Sequence, residues 1–318
     1  NLRVEAAMSL IRMGPRGGVR SGIKILTDHY KDEDGEDKPG ALVQLSEEAR
    51  AKIVAGMAPE LIKEMQAPPP PRTADGRMAA DPSVPFKDAS FAMISHEPPL
   101  VNDEQVNKQL REALTQWAQT GFEDRIENSS QQFGIEQMMR FLGAPSVRAL
   151  PGLINENTYR LDRIASLVAD LGEPETKQKA SEALVALGKR LESQAWFDAQ
   201  KPIVEEANKK AGVANATADQ VSQQITKMQD RRLQEEVFPA LKKIGGRPAI
   251  DYLFAVAGDT KGKEERRKLA LAALEGRVDK ANPADLDRTF AIAKDDSTPD
   301  SVRDVAFARL GEFNKEQI

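Results

Sequence analysis

DDSTPDSVRDVAFARLG, Asp295 to Gly311, is the stretch on which the fold turns. Val302, Ala306 and Leu310, followed by Phe313, recur at helical spacing and make one apolar stripe. Thr298-Pro299 puts a capping side chain before a proline at the first helical position, where the missing N–H costs nothing. Ala306 is small enough to let a neighbouring helix close in, and Leu310, one turn on, fills the space beside it. Arg303 stands in the first turn, the wrong end for the helix dipole, so it requires a specific acceptor. Asp295, Asp296 and Asp300 are the candidates.

The same order of residues, a basic side chain, Ala three later and Leu four after that, occurs four times. The copies are Arg3-Ala6-Leu10, Lys177-Ala180-Leu184, Arg267-Ala270-Leu274 and Arg303-Ala306-Leu310. In three of them a glycine follows, at Gly14, Gly188 and Gly311. Arg267 and Arg303 are 36 residues apart with a second helix, from Pro283, between them, so one period is two helices.

Asp295 to Gly311 resembles the HEAT-repeat (armadillo-like) family of α-solenoids, with its Asp and Pro turn, Val302-Arg303, the small pair Val305-Ala306 and Leu310-Gly311. Leu2-Arg3, Ala6-Ala7, Leu10 and Gly14 resemble the second helix of such a repeat. Its partner would lie upstream of Asn1, so the sequence is expected to be cut from a longer chain. Asp170-Leu171-Gly172-Glu173-Pro174 running into Lys177 and Ala180 is a looser match, with Lys for Arg. The resemblance spans 1–30, 144–191 and 246–313. It implies an all-α fold, an α-solenoid of antiparallel helix pairs, whose second helices line an extended concave binding surface.

Helical stripes recur elsewhere: Val106, Leu110, Ala113, Leu114 and Trp117; Val19, Ile23, Leu26 and Tyr30; Leu161, Ile164, Ala165, Val168 and Leu171. Glu173-Pro174, Thr217 and Asn282-Pro283 mark helix starts, and Pro202 and Pro239 are expected to kink or divide long helices. Asp34-Gly35 and Asp75-Gly76 read as polar loops, without strand-like alternation around them. Residues 66–100 hold eight prolines and read as a linker or insertion, with a docking segment or a strap along the helices as alternatives. The expected organisation is therefore a helical segment 1–66, a Pro-rich linker 67–100 and a helical-repeat domain 101–318.

The chain has 318 residues, no cysteine, two histidines and a net charge of −5. Absent cysteine excludes disulfides, thiolate metal sites and cysteine nucleophiles. No apolar run is long enough to span a bilayer, and no signal peptide opens the sequence. His96-Glu97 runs into Pro98-Pro99, so no helical zinc motif forms, and His29 sits near a helix end beside Asp28. Gly258 to Glu264 is one residue short of a phosphate loop and has Glu264 where a hydroxyl belongs. The acidic run 31–40 fails as a calcium loop, because aligning on Gly35 puts Tyr30 first and Ala41 last. No catalytic, cofactor or metal site is assigned.

The expected function is thus a non-enzymatic protein–protein interaction scaffold, binding another protein or other domains of a longer parent chain. Cytoplasm and periplasm both fit. The alternative is a nucleic-acid-binding repeat using the basic ridge Arg266, Arg267 and Lys268, although Glu264, Glu265 and Glu275 interleave with it. Trp196, adjacent to Phe197, completes the set of candidate interaction residues, since two successive helical residues point about 100° apart and cannot share one seam.

Overall fold

A computed structural model describes residues 2–13, 18–71, 79, 81–122, 129–158, 160–212 and 216–313. Among them the protein is all-α apart from one tiny hairpin. The chain divides into two compact units, Asn1–Ser146 and Val147–Ile318. The expected boundaries at 66 and 100 do not coincide with this division.

The first unit comprises α1 (Leu2–Arg12), α2 (Val19–Thr27), α3 (Glu47–Met65), α4 (Val84–Ser95), α5 (Glu104–Gln119) and α6 (Ser129–Leu142). Gly22 lets α2 lie directly on α1, because a Cβ there would stand 2.6 Å from the Ala7 carbonyl. That contact selects the core side of α1. Val4, Ala7 and Ile11 are buried, whereas Ala6 is exposed. The first copy of the repeat motif is therefore displaced by one residue from the stripe that packs.

The Pro-rich stretch contributes a core helix, which the linker reading missed. In α4, Phe86, Ala89, Ser90, Met93 and Ile94 are buried, and the helix packs against α2, α3 and α5. Its prolines flank the helix or occupy its first turn, the one place they are tolerated. Trp117 of α5 is fully buried and donates from Nε1 to Ser83 Oγ at 2.7 Å. Asp34-Gly35 forms a turn after all. Tyr30–Lys31 pairs antiparallel with Asp37–Lys38, with Gly35 at φ 79°. Asp75-Gly76 and Gly14 lie outside the described residues.

The second unit runs α7 (Leu161–Leu171), α8 (Pro174–Glu192), α9 (Gln194–Lys210), α10 (Ala218–Arg231), α11 (Phe238–Ile244), α12 (Arg247–Gly258), α13 (Glu264–Ala273), α14 (Pro283–Lys294) and α15 (Asp300–Leu310). Thr217 caps α10 in a reciprocal capping box with Gln220, and Asn282 caps α14. Pro202 sits inside the single helix α9. Pro239 follows a π-helical segment, 232–237, that carries the chain from α10 into α11. The widened turn accommodates the backbone donor that Pro239 lacks.

α12 packs on α13, α14 packs on α15, and α13 packs in turn on α15. Ala270 and Leu274 of α13 are buried, and so are Ala306 and Leu310 of α15. Ala180 and Leu184 of α8 are buried in the same pattern. Two polar clamps join the last two pairs. Arg247 of α12 holds the buried Asp285 of α14 through two bonds, of 3.0 and 2.8 Å. Arg267 of α13, 3 % exposed, donates from Nε to the Ala257 carbonyl at 2.8 Å and from Nη2 to Thr298 Oγ1 at 3.1 Å. Thr298 passes the link to Asp295 at 2.9 Å. The Thr298 hydroxyl is therefore engaged in the turn, and Pro299 occupies the N-cap position.

Ala306 is fully buried on α15, which packs on both α13 and α14. Ala306→Leu should lower the unfolding free energy by about 1–3 kcal/mol through overpacking. Urea denaturation measures it, and an unchanged midpoint would place Ala306 away from the tight contact.

Candidate interaction surface

The basic stretch 261–268 lies on the loop after α12 and the first turns of α13. Glu264 and Glu265 stand in that first turn, where the helix dipole favours them. Each of the ridge cations Arg266, Arg267 and Lys268 has a partner. Arg266 donates to Asp230 Oδ1 at 2.7 Å and Gln229 Oε1 at 3.1 Å, with Glu192 at 3.6 Å. Lys263 bonds the same Asp230 at 2.6 Å. Arg267 is buried in the clamp, and Lys268 faces Glu265 at 3.5 Å. Trp196 is buried near the start of α9, while Phe197 is half-buried beneath the Lys201 ammonium. The structure thus brings Arg266 and Arg267 into adjacent but separate networks.

Around Arg266 lies a cluster that sequence patterns did not indicate. Tyr252 of α12 donates its hydroxyl to Glu192 of α8 at 3.1 Å. Gly188, one turn before Glu192, makes this approach feasible, because a Cβ there would run into the Tyr252 hydroxyl. Burial raises the Glu192 carboxyl above its ordinary value, against the opposing pull of Tyr252 and Arg266. Burial and the Glu192 charge push the Tyr252 hydroxyl up as well. At Asp230 burial works the same way, but the Lys263 and Arg266 bonds outweigh it and leave that carboxyl below the usual range. The arrangement holds four helices together by charge.

Each histidine makes a local contact of its own. His29 faces Asp37 at 3.5 Å, and His96 bonds the Pro98 carbonyl at 2.9 Å. Among the described residues no group of three His, Asp or Glu side chains is placed to hold a metal ion. No helix there is long and apolar enough to cross a membrane.

Some large apolar side chains also remain open on the surface. Phe290 of α14 is 49 % exposed and Phe307 of α15 is 57 % exposed. In the first unit a groove of 660 Å³ runs along α5, between Asn107, Arg111 and Thr115 on one side and Leu142 and Pro145 on the other. Single exposed apolar residues are ordinary. Phe290 and Phe307 differ because both belong to the repeating pairs. Their sequence signal was the 36-residue period itself, which places Phe290 opposite Phe254 and Phe307 opposite Leu271.

A carboxyl raised in the folded state costs stability once pH climbs through its folded value, and costs nothing below its unfolded value. Glu192→Gln should therefore gain stability relative to the natural chain as pH rises above about 4, the ordinary carboxylate value. Denaturant midpoints across that range test it, and a gap that shrinks as pH rises would contradict the assignment. No protein-family model matches the chain, and neither a curated protein nor a solved structure matches it.

Proposed function

We propose that this chain is a non-enzymatic protein–protein interaction scaffold, built as a HEAT-like α-solenoid of antiparallel helix pairs. One observation carries the reading. The pairs α12–α13 and α14–α15 repeat their buried positions at a spacing of 36 residues, and polar clamps fix one pair on the next. Such stacking buries a continuous core from units that have no core alone, and it leaves long helical surfaces for a partner. Affinity then comes from many modest contacts spread over several pairs. The partner is another protein, or other domains of a longer parent chain.

Nothing in the ridge favours the nucleic-acid alternative. Phosphate binding draws on uncompensated cations, and Arg266, Arg267 and Lys263 already have acceptors.

Affinity capture from the native cells, with lysine crosslinking and mass spectrometry, tests the proposal. The expected result is one reproducible protein, crosslinked through lysines of adjacent pairs such as Lys261 and Lys294, with recovery unaffected by nuclease. Recovery that nuclease abolishes would overturn it.

A further inference from the structure

We propose that the outer face of α15, together with Phe290 of α14, is a docking surface for a further antiparallel helix pair supplied by a protein partner. This rests on the repeat reading above and names the surface and the chemistry that fits it.

The chain supplies its own template. A shift of 36 residues carries Leu253, Val256, Ala257, Ala270 and Leu274 onto Thr289, Ile292, Ala293, Ala306 and Leu310, and every one of these is buried. The same shift carries Phe254 onto Phe290, Leu271 onto Phe307 and Arg267 onto Arg303. Here the environments diverge. Phe254 is 4 % and Leu271 0 % exposed, against about half for each counterpart.

The side chains around Leu271 identify what covers it. Glu264, Arg267 and Leu271 lie within about 60° of one another around α13. Glu264 accepts from Ser301 of α15 at 2.5 Å, and Arg267 donates to Thr298 in the turn before α15. The Leu271 side of α13 therefore faces the following pair. Arg266, on the other side, turns back to Gln229 and Asp230. On the first helices, Arg288 of α14 sits over the Phe254 ring at 5.5 Å.

On α15 the matching side holds Asp300, Arg303 and Phe307, and nothing among the described residues lies over Phe307. Arg303 differs from Arg267 at its outer nitrogens, because Arg267 sends Nη2 to Thr298 in the turn of the following pair. The outer nitrogens of Arg303 fold back on the exposed Asp296 and Asp300, at 3.2 and 2.6 Å.

The template also states what the occupant must present. α13 receives Val302 and Ala306 from one helix, a hydroxyl backed by a carboxylate from the turn, and a cation for the phenylalanine ring. The partner of α15 needs the first two of these, a branched and a small apolar residue one turn apart and a Thr–Asp turn for Arg303, since the Lys294 ammonium already lies over the Phe290 ring at 5.9 Å. A second copy of this chain fits poorly, because its own Val302 and Ala306 are already buried.

The probe is the full chain extended after Ile318 by a second copy of residues 283–313, which keeps the 36-residue spacing. Hydrogen exchange over 300–311 is compared between the natural and the extended chain. We expect exchange there to slow by about tenfold or more, the sign of a newly covered helix. Phe307→Asp should abolish that gain in the extended chain and leave the melting of the natural chain unchanged, since its side chain is exposed there. Unaltered exchange over 300–311 overturns the proposal. So does a natural chain that sediments as a dimer and becomes a monomer with Phe307→Asp, because a second copy would then be the occupant. Protection over 264–273 in the natural chain reports pair-on-pair stacking separately. A failure confined to 300–311 removes only this surface, and loss of protection over 264–273 removes the repeat reading itself.

Discussion

A buried guanidinium sets how the last two helix pairs meet. Arg267 reaches a carbonyl at the end of its own pair and a hydroxyl in the turn of the next one. A charge out of water is tolerated only where its donors are satisfied, and removing an acceptor leaves a large desolvation cost uncompensated. The turn carrying Thr298 is thereby held against α12 and α13. Asp295 completes the arrangement. Ser297, through its hydroxyl and its backbone N–H, and then the Thr298 hydroxyl hold its carboxyl below the ordinary range. Ala270 and Ala306 matter only once this approach is fixed, because small side chains allow close contact without specifying which helix arrives.

The clamp between the first helices is built differently but works to the same end. Arg247 spans Asp285 and Asp251, and Arg288 returns to Asp251 from α14. Hydrogen bonds from Arg247 and then Arg288 lower the Asp251 carboxyl to about 2, against the effect of burial. Most charges that sequence alone offers as a binding ridge are thus consumed in joining helices. The clamps leave Phe290 and Phe307 exposed on the last helix pair.

The all-α class was legible because it depends on periodicity, and periodicity is local. The stripes ending in Trp117 and in Phe313 are buried except for half-buried Val106, and Thr217 and Asn282 cap where their side chains predict. The helix α4 was not legible within 66–100, since the prolines on either side dominate the composition while Phe86, Ala89 and Met93 keep helical spacing between them. The register of α1 was missed for a different reason. Ala6 and Ala7 are equivalent in sequence, and only Gly22 of another helix decides that Ala7 is inside. The ridge at Arg266 was readable as charge but not as neutralised charge, because Asp230 and Glu192 arrive from helices 36 and more residues away. The need of Arg303 for Asp296 and Asp300 was visible, because those acceptors are near in sequence.

The most direct test is a double-mutant cycle on Arg267 and Thr298, with Arg267→Met, Thr298→Val and the double variant compared by urea denaturation. If the guanidinium couples one pair to the next, the two losses will fall short of additivity by about 0.5–3 kcal/mol. Losses that add within about 0.3 kcal/mol would show that the two side chains act independently and that the buried guanidinium does not couple one pair to the next.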